Sequence, residues 1–273
     1  MPGVIRTLDL GGMVAAAWRY RQFIASSIRN DYRARFARSK LGALWMVIHP
    51  FVNAAIFALV LSEVVRARLP GMGSDATAYA LYVSAGMLAW SLFAEVVTRC
   101  LTVFIENGSV LKKLYFPRIC LPLIVSGTAL LNNLLMFGAI VLIFTALGRP
   151  PLPAVAWIPL LMVVPLALGL GVGLLLGVLN VFVRDVGQVV PVLLQLGFWF
   201  TPILYPPSML PAFVRPLLQV NPMTPVVQAY QGAMLLQTPI PVSLATVAVM
   251  AALLLALALF MFRRASVELV DAL

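Results

Sequence analysis

At 273 residues, 62% of them hydrophobic and only 10% charged, with a mean hydropathy of +1.02, the chain lies far from water-soluble domains, which carry about 25% charged residues. Its net charge of +10 does not point to nucleic acid, because fourteen of the nineteen Lys and Arg fall in segments that hydropathy assigns to one side of a membrane. Four fall on the other side and Arg99 lies within a span, which is the positive-inside bias of membrane insertion and not a phosphate-binding patch.

Uncharged runs of ~18 residues or more recur along the whole length, which defines an all-α polytopic membrane protein. The ~10-residue alternating segments of a transmembrane barrel do not occur. Residues 1–40 read as a basic cytosolic N-terminus. Within it, residues 14–38 predict an amphipathic interface helix, with Trp18, Ile24, Ala25, Ile28, Tyr32 and Phe36 in one arc and Arg19, Arg29 and Arg33 outside it. No cleavable leader is legible, so the first span is itself expected to act as the insertion signal.

Six spans are expected in a membrane domain over 41–262, with both termini cytosolic and a short tail at 263–273. The first, 41–65, is closed by Glu63, Arg66 and Arg68. The second, 78–105, carries Glu95 and Arg99 one helical turn apart, and charges placed so deep must pair or face protein. A structural pair near the inner interface is the favoured reading, with a proton relay as the lesser one. A basic cytosolic segment, 106–118, holds Lys112, Lys113 and Arg118 and is broken by Pro117.

The third span, 119–147, carries Asn132 and Asn133 near its middle, where amide side chains commonly bond across helices. In the fourth, 155–182, Gly169, Gly173 and Gly177 recur every four residues on one face and predict close backbone approach. Arg184 and Asp185 mark an inner turn before the short fifth span, 186–204. Nine of the twenty prolines then lie between Pro202 and Pro241. The segment 206–241 predicts two short half-inserted helices, 209–219 and 224–236, joined through Asn221–Pro222. The last span, 243–262, is stopped by Arg263 and Arg264.

No catalytic chemistry is legible in the chain. No phosphate-binding GxxxxGK[ST] loop or dinucleotide loop is present, so nucleotide hydrolysis is not expected on this chain and no catalytic residue is assigned. Cys100, Cys120 and the single His49 supply neither a disulfide framework nor a metal site. Active transport then draws on an ion gradient or on a separate ATPase. Ion-coupled carriers place acidic groups at mid-membrane, and the only candidate pair, Glu95 and Arg99, lies too near the inner face, which favours the ATPase.

Four stretches in order carry a resemblance: RARFARSKLGALWMVIHP (33–50), GMLAWSLFAE with ENGSVLKKLYFPRICLP (86–95, 106–122), NVFVRDVGQVVPVLLQLGFWFTPILY (180–205) and LLQVNPMTPVVQAYQGAML (217–235). Together they resemble the permease subunits of ABC transporters that export polysaccharides such as O-antigen, capsule and teichoic acid. One departure is Gln231, where the resemblance leads one to expect arginine in many relatives. The resemblance implies a homodimer in the bacterial cytoplasmic membrane, bound to two copies of a cytosolic ATPase that holds ATP and Mg, with no cofactor on this chain. It also implies a polyprenyl-pyrophosphate-linked glycan as cargo. Asn107, Gly108, Ser109, Leu111, Lys112 and Lys113 would form the helix seated in the ATPase. Arg33, Arg35, Arg38 and Lys40 are candidates to guide the lipid headgroup, with topology anchoring as the competing reading. Trp45, Phe51, Tyr82, Trp90, Phe93, Trp199 and Tyr205 are candidates to stack on sugars along a path, against interfacial or packing roles. A permease for a drug or another lipid, an ion-coupled carrier without an ATPase, and a membrane scaffold are the alternatives.

Overall fold

Helices that bury one another through small residues and amide side chains dominate the computed structural model, which describes residues 18–36, 76–113, 117–148, 153–211, 215–236 and 240–265 with a few single positions. The expected first span, with Phe51, lies outside the described residues apart from isolated helical positions such as Trp45, and so do Arg38, Lys40 and the tail from 266. Among the described residues the regular structure is entirely helical. In order come α1 (Arg21–Phe36), α2 (Ala76–Glu106), α3 (Gly108–Lys113), α4 (Cys120–Ala146), α5 (Ile158–Leu161), α6 (Val163–Phe182), α7 (Val186–Trp199), α8 (Arg215–Val220), α9 (Met223–Gln231) and α10 (Ser243–Ala265).

Four of these elements are long and apolar enough to cross a membrane: Thr77–Glu106, Cys120–Ala146, Pro153–Phe182 and Ser243–Ala265. The third takes in a tight helical turn at Pro153–Trp157, α5 and α6. Helix α7, at 14 residues, is shorter than these four. Their ends follow local chemistry. At the end of α2 the Asn107 side-chain amide donates to the Val103 carbonyl at 2.8 Å, where the Asn107 backbone N–H also donates at 3.2 Å. After α4, Gly148 adopts φ +75, the left-handed conformation that closes many helices and suits glycine best.

The bundle is ordered α4–α2–α6–α10, with α2 and α6 the most extensively packed pair. Gly169, Gly173 and Gly177 face α2 so closely that a methyl group on Gly177 would lie 2.3 Å from the Cys100 carbonyl oxygen, and one on Gly173 2.8 Å from Cys100 Cβ. On the other side of α6, Gly171 meets α10, where a methyl group would lie 2.9 Å from the Leu255 nitrogen. Apolar side chains gain little by leaving lipid for protein, so packing of this kind and interhelical hydrogen bonds hold membrane helices together. Asn180 adds such a bond, donating to the Leu101 carbonyl at 2.9 Å.

Helices α2 and α10 run in the same direction, so their C-terminal ends lie together at one end of the bundle and their N-terminal ends at the other. At one, Phe104 and Phe262 stack with ring centroids 5.4 Å apart, close to α3, Arg263 and Arg264. At the other, the start of α2 meets the proline-rich segment that follows α7. With a rise of ~1.5 Å per residue, α2 separates the two ends by ~45 Å.

Two expected boundaries differ from the structure. The fifth helix stops at Trp199 and not at 204, because Pro202 lacks the N–H that would continue it and restricts the residue before it. The first short helix after it is confined to Arg215–Val220, preceded by a single tight turn at Pro207–Met209.

Candidate functional site

Residues 200–206 leave helical geometry while Thr201, Pro202, Ile203 and Leu204 are buried. Irregular backbone at such a place is tolerated only if protein groups satisfy its polar atoms, and here they do. From α2, the Tyr79 hydroxyl donates to the Leu204 carbonyl. Tyr82, one helical turn on, donates to the carbonyls of Tyr205 at 3.2 Å and Pro202 at 3.4 Å. From α9, the Gln231 amide reaches the Pro202 carbonyl at 3.1 Å. Asn221, between α8 and α9, donates to the Thr201 hydroxyl at 2.8 Å and the Phe200 carbonyl at 3.2 Å, and its own oxygen accepts from the Met223 backbone at 2.9 Å. Gly86 lies beneath the segment, where a methyl group would stand 3.1 Å from both the Gln231 nitrogen and Ile203 Cγ2.

Beside this tethered segment an apolar groove of about 530 Å³ runs between α2, α6, α7 and α8. Trp90, Phe93, Leu193, Gly197, Phe200 and Val220 are among its walls. Gly197 lets the Trp90 ring come close, since a methyl group there would meet Trp90 Cη2 at 2.9 Å. Trp90 also lies 5.6 Å from Phe93 and 6.1 Å from Phe198 between ring centroids, within the range of favourable tilted and edge contacts. The outer face of α7 is exposed and apolar through Val189, Val192, Leu193, Leu196 and Trp199.

Nearer the basic end, charges and amides join three elements. Arg99 pairs with Asp31 of α1 at 2.5 Å and with Glu95 at 3.7 Å, and Glu95 accepts a hydrogen bond from Asn132 of α4 at 2.8 Å. Asn133 donates to the Leu88 carbonyl at 2.9 Å and the Ser91 hydroxyl at 3.2 Å. The same face of α1 inserts Ile28 against Gly127 of α4, where a methyl group would lie 2.3 Å from Ile28 Cδ1. Arg99 is therefore held from both sides, and α1 is fastened to the bundle by an ion pair as well as by apolar contact.

The structure brings together some of the residues singled out from sequence and separates others. Trp90 and Phe93 share the groove, and Trp199 stands exposed at the end of α7 beside it. Tyr82 is enclosed, 1% exposed, with its hydroxyl engaged on backbone, so in this conformation it is a tether and presents no face to a sugar. Tyr205 is half-buried, and its hydroxyl donates to the Trp199 carbonyl at 2.7 Å. Trp45 is exposed. Arg33 is exposed on α1, and Arg35 belongs to the same helix. In α3, Gly108 is buried while Ser109 and Lys112 are exposed; Leu111 and Lys113 complete the helix, and Asn107 caps α2 before it. Sequence reasoning missed Tyr79, Thr201, Asn221 and Gln231 as partners of one segment. Their polarity within an apolar stretch was the available signal.

Residues 21–235 match the family described as ABC-2 type transporter. Among curated proteins, the chain is 30% identical over 203 residues to an O-antigen export system permease protein RfbA of Klebsiella pneumoniae, covering 74% of this chain and 76% of the relative. It is 28% identical over 222 residues to a protein of the same name from Myxococcus xanthus, covering 81% of this chain and 83% of the relative.

Proposed function

This chain belongs to the ABC-2 type transporter family and is a membrane-embedded transport subunit, and from that premise we propose that it exports a lipid-linked polysaccharide of the O-antigen kind out of the cytosol. The observation that carries the reading is the alignment, over about three quarters of both chains, with relatives named as O-antigen export permeases. In this reading the permease has six spans with cytosolic termini in a bacterial inner membrane, α1 lies at the inner interface, and α8 and α9 form an outer gate. Two copies pair, and each binds one ATPase subunit that holds ATP and Mg.

The geometry is suited to that work. A short helix with a buried glycine, α3, follows α2 directly at the basic end, so a push on α3 reaches α2 without an intervening loop. At the far end α2 holds the irregular segment through Tyr79 and Tyr82. An apolar groove edged with aromatic rings suits the lipid portion of a cargo or the less polar faces of sugar rings. In this reading Arg33, exposed on α1, helps to draw in a pyrophosphate headgroup. The test is a strain lacking the protein. Lipid-linked glycan is expected to accumulate on the cytosolic leaflet and to clear on complementation, and the permease is expected to co-purify with an ATPase. Normal surface glycan in the deletion strain would refute the proposal.

A further inference from the structure

Helix α7 walls the apolar groove and runs into the tethered segment, yet its hold on the bundle is slight. Val190 alone among its residues is buried. Its contacts with the bundle fall at Gly187, Val190, Leu194 and Gly197, a spacing that keeps them on one helical face. Gly197 makes room for the Trp90 ring, and Gly187 does the same for Asn180 of α6. A methyl group on Gly187 would lie 2.9 Å from Asn180 Oδ1, 3.3 Å from Nδ2 and 3.5 Å from Cγ, so the whole amide group bears on the first turn of α7.

Asn180 is 3% exposed, and its Nδ2 donates to the Leu101 carbonyl of α2 at 2.9 Å. That carbonyl lies five residues before α2 ends at Glu106 and α3 follows. The Oδ1 atom is buried and accepts no hydrogen bond among the described residues. The amide is thus bonded to α2 but only in contact with α7, and a contact without a directional bond lets the two surfaces tilt. The near end of α7 has little freedom to travel. Only Val183, Arg184 and Asp185 separate it from α6, and Val186 and Gly187 donate back to the carbonyls of Val183 and Arg184 at 3.2 and 3.1 Å. One turn on, the helix is built to bend. Pro191 has no N–H to offer the Gly187 carbonyl four residues earlier, and prolines inside helices are where kinks form.

We propose that Asn180 is a positioning residue for transport: bonded to α2 and bearing on Gly187, it passes movement at the basic end of α2 to α7, which pivots there and bends at Pro191. The role rests on the reading above, in which an ATPase acts through α3. A swing of α7 would bring Gly197 onto Trp90 or away from it, and so narrow or widen the groove that α7 walls.

The test uses the full-length chain with its ATPase, in the deletion strain and in lipid nanodiscs. Pro191→Ala changes an exposed position and supplies the missing N–H, so its melting temperature should be unchanged or higher. Its surface glycan should nevertheless fall at least about fivefold while ATP hydrolysis persists, a combination that a merely structural role does not give. Asn180→Leu, which loses the bond to α2, should lower export in the same way, and the double variant should be no worse than the weaker single one. Fluorine NMR of a trifluoromethyl tag on Leu196→Cys, exposed on α7, reports the swing, since Cys100 and Cys120 are buried. Its signal should shift when ATP is added and stay fixed in the Pro191→Ala and Asn180→Leu backgrounds. Full export by Pro191→Ala, a signal that still shifts in both backgrounds, or losses that multiply in the double variant would overturn the inference. The two ideas fail differently. A chain that restores surface glycan while its signal ignores ATP removes only the pivot, whereas one whose signal follows ATP but that restores no glycan removes the export reading.

Discussion

Gly177 shows how much a single residue decides here. Replacing it by alanine would drive a methyl group to 2.3 Å from the Cys100 carbonyl, a backbone atom that cannot turn aside. Gly177→Ala should therefore destabilise the protein by about 1–3 kcal/mol through overpacking. Gly138→Ala on α4 faces open space, and should be neutral or stabilising by up to about 1 kcal/mol. Thermal unfolding in one detergent checks the pair, and equal losses would show that the close approach is not what matters. The periodicity of these glycines is legible in the sequence because four-residue spacing keeps one face of a helix. Gly171, two positions off that stripe, serves another neighbour, and nothing local announces it. The pair Glu95 and Arg99 is legible for the same geometric reason. Asp31, the second partner of Arg99, is 68 residues away, and only the folded chain brings it there.

Among the elements, α1 is the one whose attachment sequence could not reveal. An amphipathic helix rich in arginine is equally suited to lying on lipid or on protein. The Asp31–Arg99 pair and the seat of Ile28 on Gly127 fasten it to α2 and α4. A double-mutant cycle with Asp31→Asn and Arg99→Gln should give a coupling of about 0.5–3 kcal/mol. Hydrogen exchange in α1 should rise in either single variant. Additive effects would mean that the ion pair does not hold the helix. The segment after α7 was hidden for a different reason. Its residues are apolar enough to read as the end of a span, and the groups that satisfy its backbone lie up to 125 residues earlier. Pro202 alone hinted that the helix would stop.

For the molecule as a whole, the ends of α2 hold the two regions that the export reading must link. Gly108→Arg would place a long charged side chain at a buried position of α3. Under the export reading the variant should still insert, but surface glycan should fall at least about tenfold while ATP hydrolysis persists, an uncoupling phenotype read by comparing the two rates. Unchanged export would detach α3 from energy transfer. The glycines of α6 carry a further consequence. With backbone against backbone on both flanks, α2, α6 and α10 cannot slide or rotate past one another without collision, so they must travel as a single solid piece. Any opening then occurs at its borders, where α4 with α1 on one side and α7 with the short helices on the other are joined to it by a few hydrogen bonds and side-chain contacts. Under the export reading, those borders are where hinge motion is expected.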